Sequence, residues 1–141
     1  MSQFVKIEQS LKNLCSECSC FNTDNCIKSK CDVGFSEKII NHAKEHSVKV
    51  IEDGETLIPK DDMKYYREDL IADSIAEVCK LCKQCRENHS EQCIISLCRR
   101  SLENAVLKEN TPYPGSVLMY LVGVSKQNPS FAEMIRSAYE K

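Results

Sequence analysis

The residues best suited to chemistry are ten cysteines, all of which lie in two short runs of the chain. The first run contains Cys15, Cys18, Cys20, Cys26 and Cys31, and the second contains Cys79, Cys82, Cys85, Cys93 and Cys98. Thiolates are soft ligands that select zinc, copper(I) or iron–sulfur clusters. We therefore treat all ten cysteines as candidate metal ligands.

The two runs are similar to each other beyond their cysteines. Cys26–Cys31 aligns with Cys93–Cys98, and similarly spaced apolar residues lead into each run. These apolar residues are Ile7, Leu11 and Leu14 in the first copy and Ile71, Ile75 and Val78 in the second. Chance rarely reproduces five cysteines and such a lead-in together, so the pattern predicts a duplicated unit with two related sites. The repeat covers residues 3–47 and 61–108.

The spacing of the cysteines favours iron–sulfur clusters over zinc. Structural zinc sites usually take two well-separated cysteine pairs. Here Cys79, Cys82 and Cys85 place three thiolates within seven residues. Three cysteines at this spacing can bind one cubane cluster, with the fourth ligand supplied from farther along the chain. The sequence predicts two [4Fe-4S] clusters, with zinc as the alternative and redox-active thiols without metal as a third possibility.

Five cysteines in each unit exceed the four that one cluster or one zinc ion needs. One cysteine of each unit could then be spare. The candidates are Cys20 and Cys85, whose alignment requires a gap, or Cys31 and Cys98, which would lie one turn inside the following helix. A spare thiol could be a core residue, half of a redox pair or a ligand exchanged between the units.

Several charged and histidine residues accompany the cysteines. Cations that could offset an anionic centre or dock a partner, or that could simply form a solvated helix face, are Lys28, Lys30, Lys80, Lys83, Arg86, Arg99 and Arg100. His42, Glu45 and His46 spell the H-x-x-E-H signature of some zinc proteases, but a charged, solvated helix face explains them better. His89 is a further metal candidate. No catalytic residues emerge, and we expect an electron carrier or metal-binding accessory protein.

Composition narrows the partners and the compartment. The net charge of the chain is −2. Nucleic-acid-binding proteins usually carry an excess of basic residues, so the composition argues against such a partner. No apolar run approaches the ~20 residues of a membrane span, and the N-terminus lacks a signal-peptide core. We therefore expect a cytoplasmic protein, where thiols stay reduced and bind metals. Its function would be electron transfer or redox sensing with a protein redox partner or partner enzyme; the alternative is a non-catalytic zinc-binding interaction module.

The elements that position the cysteines are predicted to be helices within a single domain, 1–141. The fold class is mainly α, with about five to six helices, two duplicated cysteine-rich units and one small β-hairpin. Apolar periodicity predicts a helix over residues 3–18, a second from about Ser36 to His46, a third after Pro59 and a fourth over 93–108. The third helix is predicted to carry Asp61 and Asp62 in its first turn.

The remaining segments contain no cysteine. Residues 48–58 carry the Asp53-Gly54 signal of a hairpin. The C-terminal helical pair, 112–140, follows a turn rich in proline and glycine. Its first helix, 116–127, is apolar enough to be a central core helix, and Asn128 is predicted to cap the last helix with Pro129 at its first position.

Overall fold

The structure, a computed structural model, contains six α-helices and parts of the segments that join them. The described residues are 5–16, 31–46, 51, 54–59, 66–84, 93–107, 110–111 and 116–140. The helices are α1 (Val5–Ser16), α2 (Asp32–His46), α3 (Glu68–Gln84), α4 (Ile94–Asn104), α5 (Val117–Gln127) and α6 (Pro129–Tyr139). The predictions of a mainly helical chain and of five to six helices are therefore confirmed.

Helix α2 begins one turn earlier than predicted. Its first residue is Asp32 rather than Ser36. The N–H of Phe35 donates to the carbonyl oxygen of Cys31 at 2.7 Å, and the N–H of Gly34 donates to the Cys31 sulfur at 3.4 Å. The first contact is the first intrahelical hydrogen bond of α2, and the second satisfies an N–H group that a helix start leaves without an intrahelical partner. Cys31 therefore starts the helix, which the apolar periodicity alone did not indicate.

Helix α3 begins later than predicted, so its first turn holds different carboxylates. These are Glu68 and Asp69, whereas the predicted Asp61 and Asp62 lie outside the described residues. The guanidinium of Arg67 donates to Asp69 at 2.7 Å, and this hydrogen bond lowers the pKa of the Asp69 carboxyl. Glu68 and Asp69 lie near the positive end of the helix dipole. This is the arrangement that the sequence predicted for two other carboxylates.

The β-hairpin predicted over residues 48–58 is not confirmed. Gly54–Leu57 form a short 3₁₀ helix, and the described residues contain no β-strand. A Cβ atom at Gly54 would lie 2.5 Å from Cδ1 of Leu97, so the backbone passes directly over α4. Gly54 therefore serves a close approach of the backbone to α4 rather than a strand reversal.

Four helices pack as two sequential pairs that also contact each other. α1 packs against α2 and α3 against α4, while α1 also contacts α3 and α2 contacts α4. The predicted apolar stripes of α1 and α3 are buried in this contact: Ile7, Leu11, Leu14, Ile71, Ile75 and Val78. The ammonium of Lys44 bonds Glu8 at 2.9 Å between α2 and α1. The paired packing is observed, but duplication of the cysteine units is not confirmed.

Small polar residues line the contact between α2 and α4. The carbonyl oxygen of Asp32 accepts hydrogen bonds from the hydroxyls of Ser36 at 3.1 Å and Ser101 at 2.7 Å. Both serines are fully buried. Because a buried hydroxyl without a partner is costly, these bonds let two helices meet through small side chains. The start of α2 is thereby fixed against α4.

The C-terminal helices confirm one prediction and correct another. Asn128 caps α6 by accepting a hydrogen bond from Phe131 N–H at 3.1 Å, with Pro129 at the first helical position, as predicted. α6 packs on α3, and α5 packs on α6. However, α5 is not a central core helix, because only one side of it is buried. Its exposed apolar residues are Leu118, Met119 and Val122.

None of the helices in the described part of the chain combines the length and the apolar character needed to cross a membrane.

Candidate metal centres

The ten candidate cysteines border two helix connections, residues 17–30 between α1 and α2 and residues 85–92 between α3 and α4. Cysteines with described side chains are Cys15, Cys31, Cys79, Cys93 and Cys98, and none of these five is in a disulfide. Cys82 lies in α3, where only its backbone is described. The predicted ligands outside the described residues are Cys18, Cys20, Cys26 and Cys85.

Cys15 lies in the last turn of α1 and is half-buried. Its Sγ donates a hydrogen bond to Oε1 of Glu37 on α2, at 2.6 Å. This contact uses the protonated thiol, because the carboxylate can only accept, whereas a metal binds the thiolate. In this arrangement Cys15 links α1 to α2 as a hydrogen-bond donor.

Cys31 lies directly before α2 and is buried. Its Sγ is 2.9 Å from the hydroxyl oxygen of Tyr66, and it accepts the N–H of Gly34 at 3.4 Å. Two groups that can donate to sulfur therefore converge on it. A thiolate at this place would also face the positive end of the α2 dipole. The surroundings of Cys31 thus suit an anionic sulfur.

Cys79 and Cys93 occupy different environments in the second run. Cys79 is fully buried within α3, one residue beyond Val78 of the apolar stripe. Cys93 is half-buried and is the N-cap residue of α4, where its carbonyl oxygen accepts the N–H of Leu97 at 2.9 Å. The Cys93 side chain makes no capping hydrogen bond. The Cys93 sulfur therefore does not cap α4.

Cys98 lies one turn inside α4, where the sequence analysis placed a possible spare thiol. It is fully buried, and its Sγ donates to the carbonyl oxygen of Ser36 at 3.7 Å. Burial, reinforced by the nearby Cys93, raises the pKa of the Cys98 thiol far above its ordinary value. The side chain is thus a protonated core thiol that joins α4 to α2. Cys31, its predicted counterpart, lies before its helix rather than inside it.

The described side chains do not by themselves form a metal centre. Among the described residues, no three His, Cys, Asp or Glu side chains converge to hold a metal ion. A complete centre in either run therefore requires thiolates from residues 17–30 or 82–92. The structure does bring Cys31 and Cys93 to equivalent places, each directly before the helix that follows its cysteine-rich connection.

Arg99 is buried in the core, although its place in the sequence predicted a cation that flanks the cysteines. Its side chain is only 1% exposed and forms an ion pair with Glu103 at 2.8 Å. The same guanidinium nitrogen donates to the carbonyl oxygen of Thr111 at 2.6 Å. The hydroxyl of Tyr120 donates to Glu103 at 2.5 Å, and the tyrosine ring lies 5.2 Å from Cζ of Arg99. This buried network joins α4 to α5.

Electrostatics within the network follow from burial and from the paired charges. Burial opposes the charge of Arg99, but the carboxylate of Glu103 and then Tyr120 raise its pKa above the ordinary value. Burial and the charge of Glu103 raise the pKa of Tyr120 well above its usual range. Sequence reasoning missed Glu103. The available signal was its i, i+4 spacing from Arg99 next to the apolar positions of α4.

The histidines of the H-x-x-E-H motif lie on the outer face of α2. His42 and His46 are both exposed, with ring centroids 4.6 Å apart, and Glu45 is also exposed. Since no third ligand joins them among the described residues, this geometry fits the solvated helix face that the sequence analysis preferred. His89 lies outside the described residues.

Comparisons with protein families, curated proteins and solved structures find no match for this chain.

Proposed function

We propose that the protein binds two thiolate-ligated metal centres, one on each cysteine-rich helix connection, and that both are iron–sulfur clusters used for one-electron transfer. The first centre lies on residues 17–31 and the second on residues 79–93. A protein redox partner or partner enzyme exchanges the electrons. The reducing cytoplasm is the compartment in which so many cysteines would stay available to metal.

The observation that carries this proposal is the position of Cys31 and Cys93. Each is the last residue before a helix and the end of a connection rich in cysteine. The N-terminus of a helix carries partial positive charge, which favours anionic groups such as a metal centre ligated by thiolates. Two such places at the ends of both connections support a pair of anionic centres rather than two scattered sets of core cysteines.

The described contacts suggest which cysteine of each run is spare. Cys98 is a buried donor to Ser36, and Cys15 is a donor to Glu37. In both contacts the sulfur donates as a protonated thiol, and a metal could bind that sulfur only after displacing the proton. We therefore assign the first centre to Cys18, Cys20, Cys26 and Cys31, and the second to Cys79, Cys82, Cys85 and Cys93. Each set then holds the four thiolates that one cluster needs.

Electron transfer is preferred to redox sensing because of the same contacts. Sensor cysteines are exposed thiolates that oxidants can reach. Cys98 is fully buried and Cys15 is hydrogen-bonded to a carboxylate. Neither spare thiol thus has the surroundings of a sensor. A cluster itself could still respond to oxidants, which the same purified protein would reveal as bleaching in air.

A zinc-binding interaction module is the second candidate, and the exposed face of α5 favours it. Leu118 is 70% exposed and Met119 55% exposed, so apolar side chains face solvent on α5, whose one charged residue, Lys126, lies in its last turn. Adjacent exposed apolar side chains of this kind often mark protein contacts. In this alternative, four-cysteine zinc sites order the helix connections and α5 binds another protein.

Paired alanine variants test both the function and the ligand assignment. Anaerobically purified protein should be brown, with absorbance near ~400 nm and acid-labile sulfide. Cys93→Ala should lose one of the two centres, whereas Cys98→Ala should keep both. Cys31→Ala and Cys15→Ala form the matching pair for the first centre.

Two results would reject the proposal in different ways. Colourless protein with two zinc ions and no sulfide would replace the iron–sulfur reading with the zinc module. Protein without any bound metal, in folded form and prepared under reducing conditions, would reject both. Loss of a centre in Cys98→Ala but not in Cys93→Ala would reverse the ligand assignment and leave the function standing.

A further inference from the structure

Two histidines share the outer face of α2, one helical turn apart. His42 and His46 lie at positions i and i+4, which a helix brings together on one face. Their ring centroids are 4.6 Å apart, and the ring planes are tilted by 45°. Both side chains are exposed, so solvent reaches their ring nitrogens. The helix thus presents two adjacent imidazoles, and imidazole is a common ligand of transition-metal ions.

We propose that His42 and His46 form a chelating site for a divalent transition-metal ion of the nickel or copper class. Each histidine supplies one ring nitrogen, and water completes the coordination. No third His, Cys, Asp or Glu side chain joins the pair among the described residues, so the ion has two protein ligands and exchanges with solvent. The inference does not depend on the proposed function, since it uses no residue of either cysteine run.

The separation of the two rings favours this class of ion over zinc. With a metal–nitrogen bond of ~2.1 Å, an ion in line with a ring nitrogen lies ~3.2 Å from the centroid of that ring. When both rings turn a nitrogen to one ion, centroids 4.6 Å apart subtend an angle of ~90° at the ion. Tetragonal Cu²⁺ and Ni²⁺ sites place neighbouring ligands at about this angle, whereas tetrahedral zinc requires ~109°.

The part of α2 that carries the pair is held against the rest of the fold. Ala43, which follows His42, is 2% exposed and belongs to the core. The ammonium of Lys44 bonds Glu8 of α1 at 2.9 Å. The backbone that spaces the two rings is therefore fixed before an ion arrives. Binding then orders only the two side chains, which keeps its entropic cost small.

The charges around the pair also admit a cation. α2 ends at His46, and the C-terminus of a helix carries partial negative charge that favours cations. Glu45, exposed and adjacent to His46, adds a carboxylate on the outer surface, whereas the exposed Lys38 lies one turn before His42. These two opposite charges offset each other, so the helix end sets the local preference for a cation.

A titration of the purified, reduced protein with Ni²⁺, followed by ¹⁵N-edited NMR, tests the site. Paramagnetic Ni²⁺ should broaden the backbone signals of residues 42–46 at concentrations that leave the signals of α6 unchanged. Mg²⁺, which prefers oxygen ligands, should leave both sets of signals unchanged. His42→Ala and His46→Ala should each weaken Ni²⁺ binding at α2 roughly tenfold or more, because the second contact of a chelate is intramolecular.

A rearranged variant is the matched control. His42→Asn combined with Asn41→His keeps the number of histidines and the net charge, but the histidines are then five residues apart and point to different sides of the helix. This variant should lose as much affinity for Ni²⁺ as His42→Ala. Any binding of Ni²⁺ by the cysteines does not affect the comparison, because every variant keeps all ten cysteines.

Two results would overturn the proposed chelate. One is broadening at residues 42–46 that is as strong in His42→Ala or in the rearranged variant as in wild type. The other is broadening of wild-type signals that spares residues 42–46. Both results would leave the proposed clusters untouched, since those are detected by colour and acid-labile sulfide rather than by Ni²⁺.

Discussion

Single residues in this protein have roles that their neighbours in the sequence do not reveal. Arg99 follows Cys98 directly, yet the two side chains belong to different contacts. Cys98 bonds Ser36 of α2, whereas Arg99 pairs with Glu103 and the carbonyl oxygen of Thr111. A buried ion pair contributes little net stability over apolar packing, but loss of one partner leaves a buried charge uncompensated. Removal of one partner of this network should therefore lower the free energy of unfolding by more than the intact ion pair contributes to it.

Glu103→Gln tests this property of the buried pair. The substitution keeps the shape of the side chain but removes the charge that faces Arg99. The free energy of unfolding should fall by ~3–5 kcal/mol, measured by urea denaturation of the purified protein. Tyr120→Phe, which removes the hydroxyl that donates to Glu103 at 2.5 Å, should cost less, about 1–3 kcal/mol.

An exposed ion pair supplies the control for Glu103→Gln. Glu133 pairs with Arg136 on the outer face of α6, with both side chains about half exposed or more. Glu133→Gln should leave the urea midpoint unchanged, because exposed pairs are well screened by solvent. If Glu103→Gln were equally silent, then Arg99 would not depend on Glu103 for its charge, and the network would be only a packing contact.

At the scale of elements, one glycine lets the segment after α4 lie against α5. A Cβ at Gly123 would lie 2.7 Å from Cγ2 of Thr111. Thr111 has little freedom to move away, because its N–H donates to Glu103 and its carbonyl oxygen accepts from Arg99. Its hydroxyl also accepts from Gln127 at 3.2 Å. The glycine is therefore required by the close approach of another segment to α5.

Gly123→Ala should destabilise the protein even though alanine is the better helix former. The helical preference favours alanine by ~1 kcal/mol, but overpacking against a fixed side chain costs ~1–3 kcal/mol. Combining it with Thr111→Ser, which removes Cγ2 and keeps the hydroxyl, should recover most of the loss in a double-mutant cycle measured by urea denaturation. Additive effects of the two substitutions would show that this contact does not set the packing.

Elements with one clear apolar stripe could be predicted from the sequence, and those shaped by other segments could not. The stripes of α1 and α3 and the Asn128 cap of α6 are local patterns, and all are confirmed. The 3₁₀ helix at Gly54 depends on Leu97, which is distant in sequence. The uniformly apolar α5 gave no period from which its exposed side could be identified.

The candidate site shows the same limit. Residue type and spacing were enough to select the cysteines as candidates. Their partners lie elsewhere in the chain: Glu37 is 22 residues from Cys15, Tyr66 is 35 from Cys31 and Ser36 is 62 from Cys98. These contacts separate donor thiols from an acceptor sulfur. No local pattern contains them, because they arise only when the four helices pack together.

For the molecule as a whole, the part of the core that the structure describes is continuous through the helices. Buried apolar residues come from all six helices, and the described core includes Ile40, Ile75, Leu97, Tyr120 and Phe131. Small metal domains that lack such a core unfold without metal. If the protein binds metal as proposed, a helical core of this kind predicts that the metal orders only the connections while the helices hold one another.

Removal of the proposed metal centres should therefore have a local effect. Chelation under reducing, anaerobic conditions should leave most of the helical circular dichroism at 222 nm, because the helices keep their apolar contacts. Limited proteolysis should at the same time gain cleavage sites within residues 17–30 and 85–92, since metal ligation couples to local folding.

Cys15→Ala is the control, because it keeps all the ligands that we assign to the two centres, and it should respond to chelation as wild type does. Cys31→Ala should be cleaved within residues 17–30 before any chelator is added. A cooperative loss of all helical signal on chelation would instead make the metal centres part of the global fold, and the helical core would then be insufficient by itself.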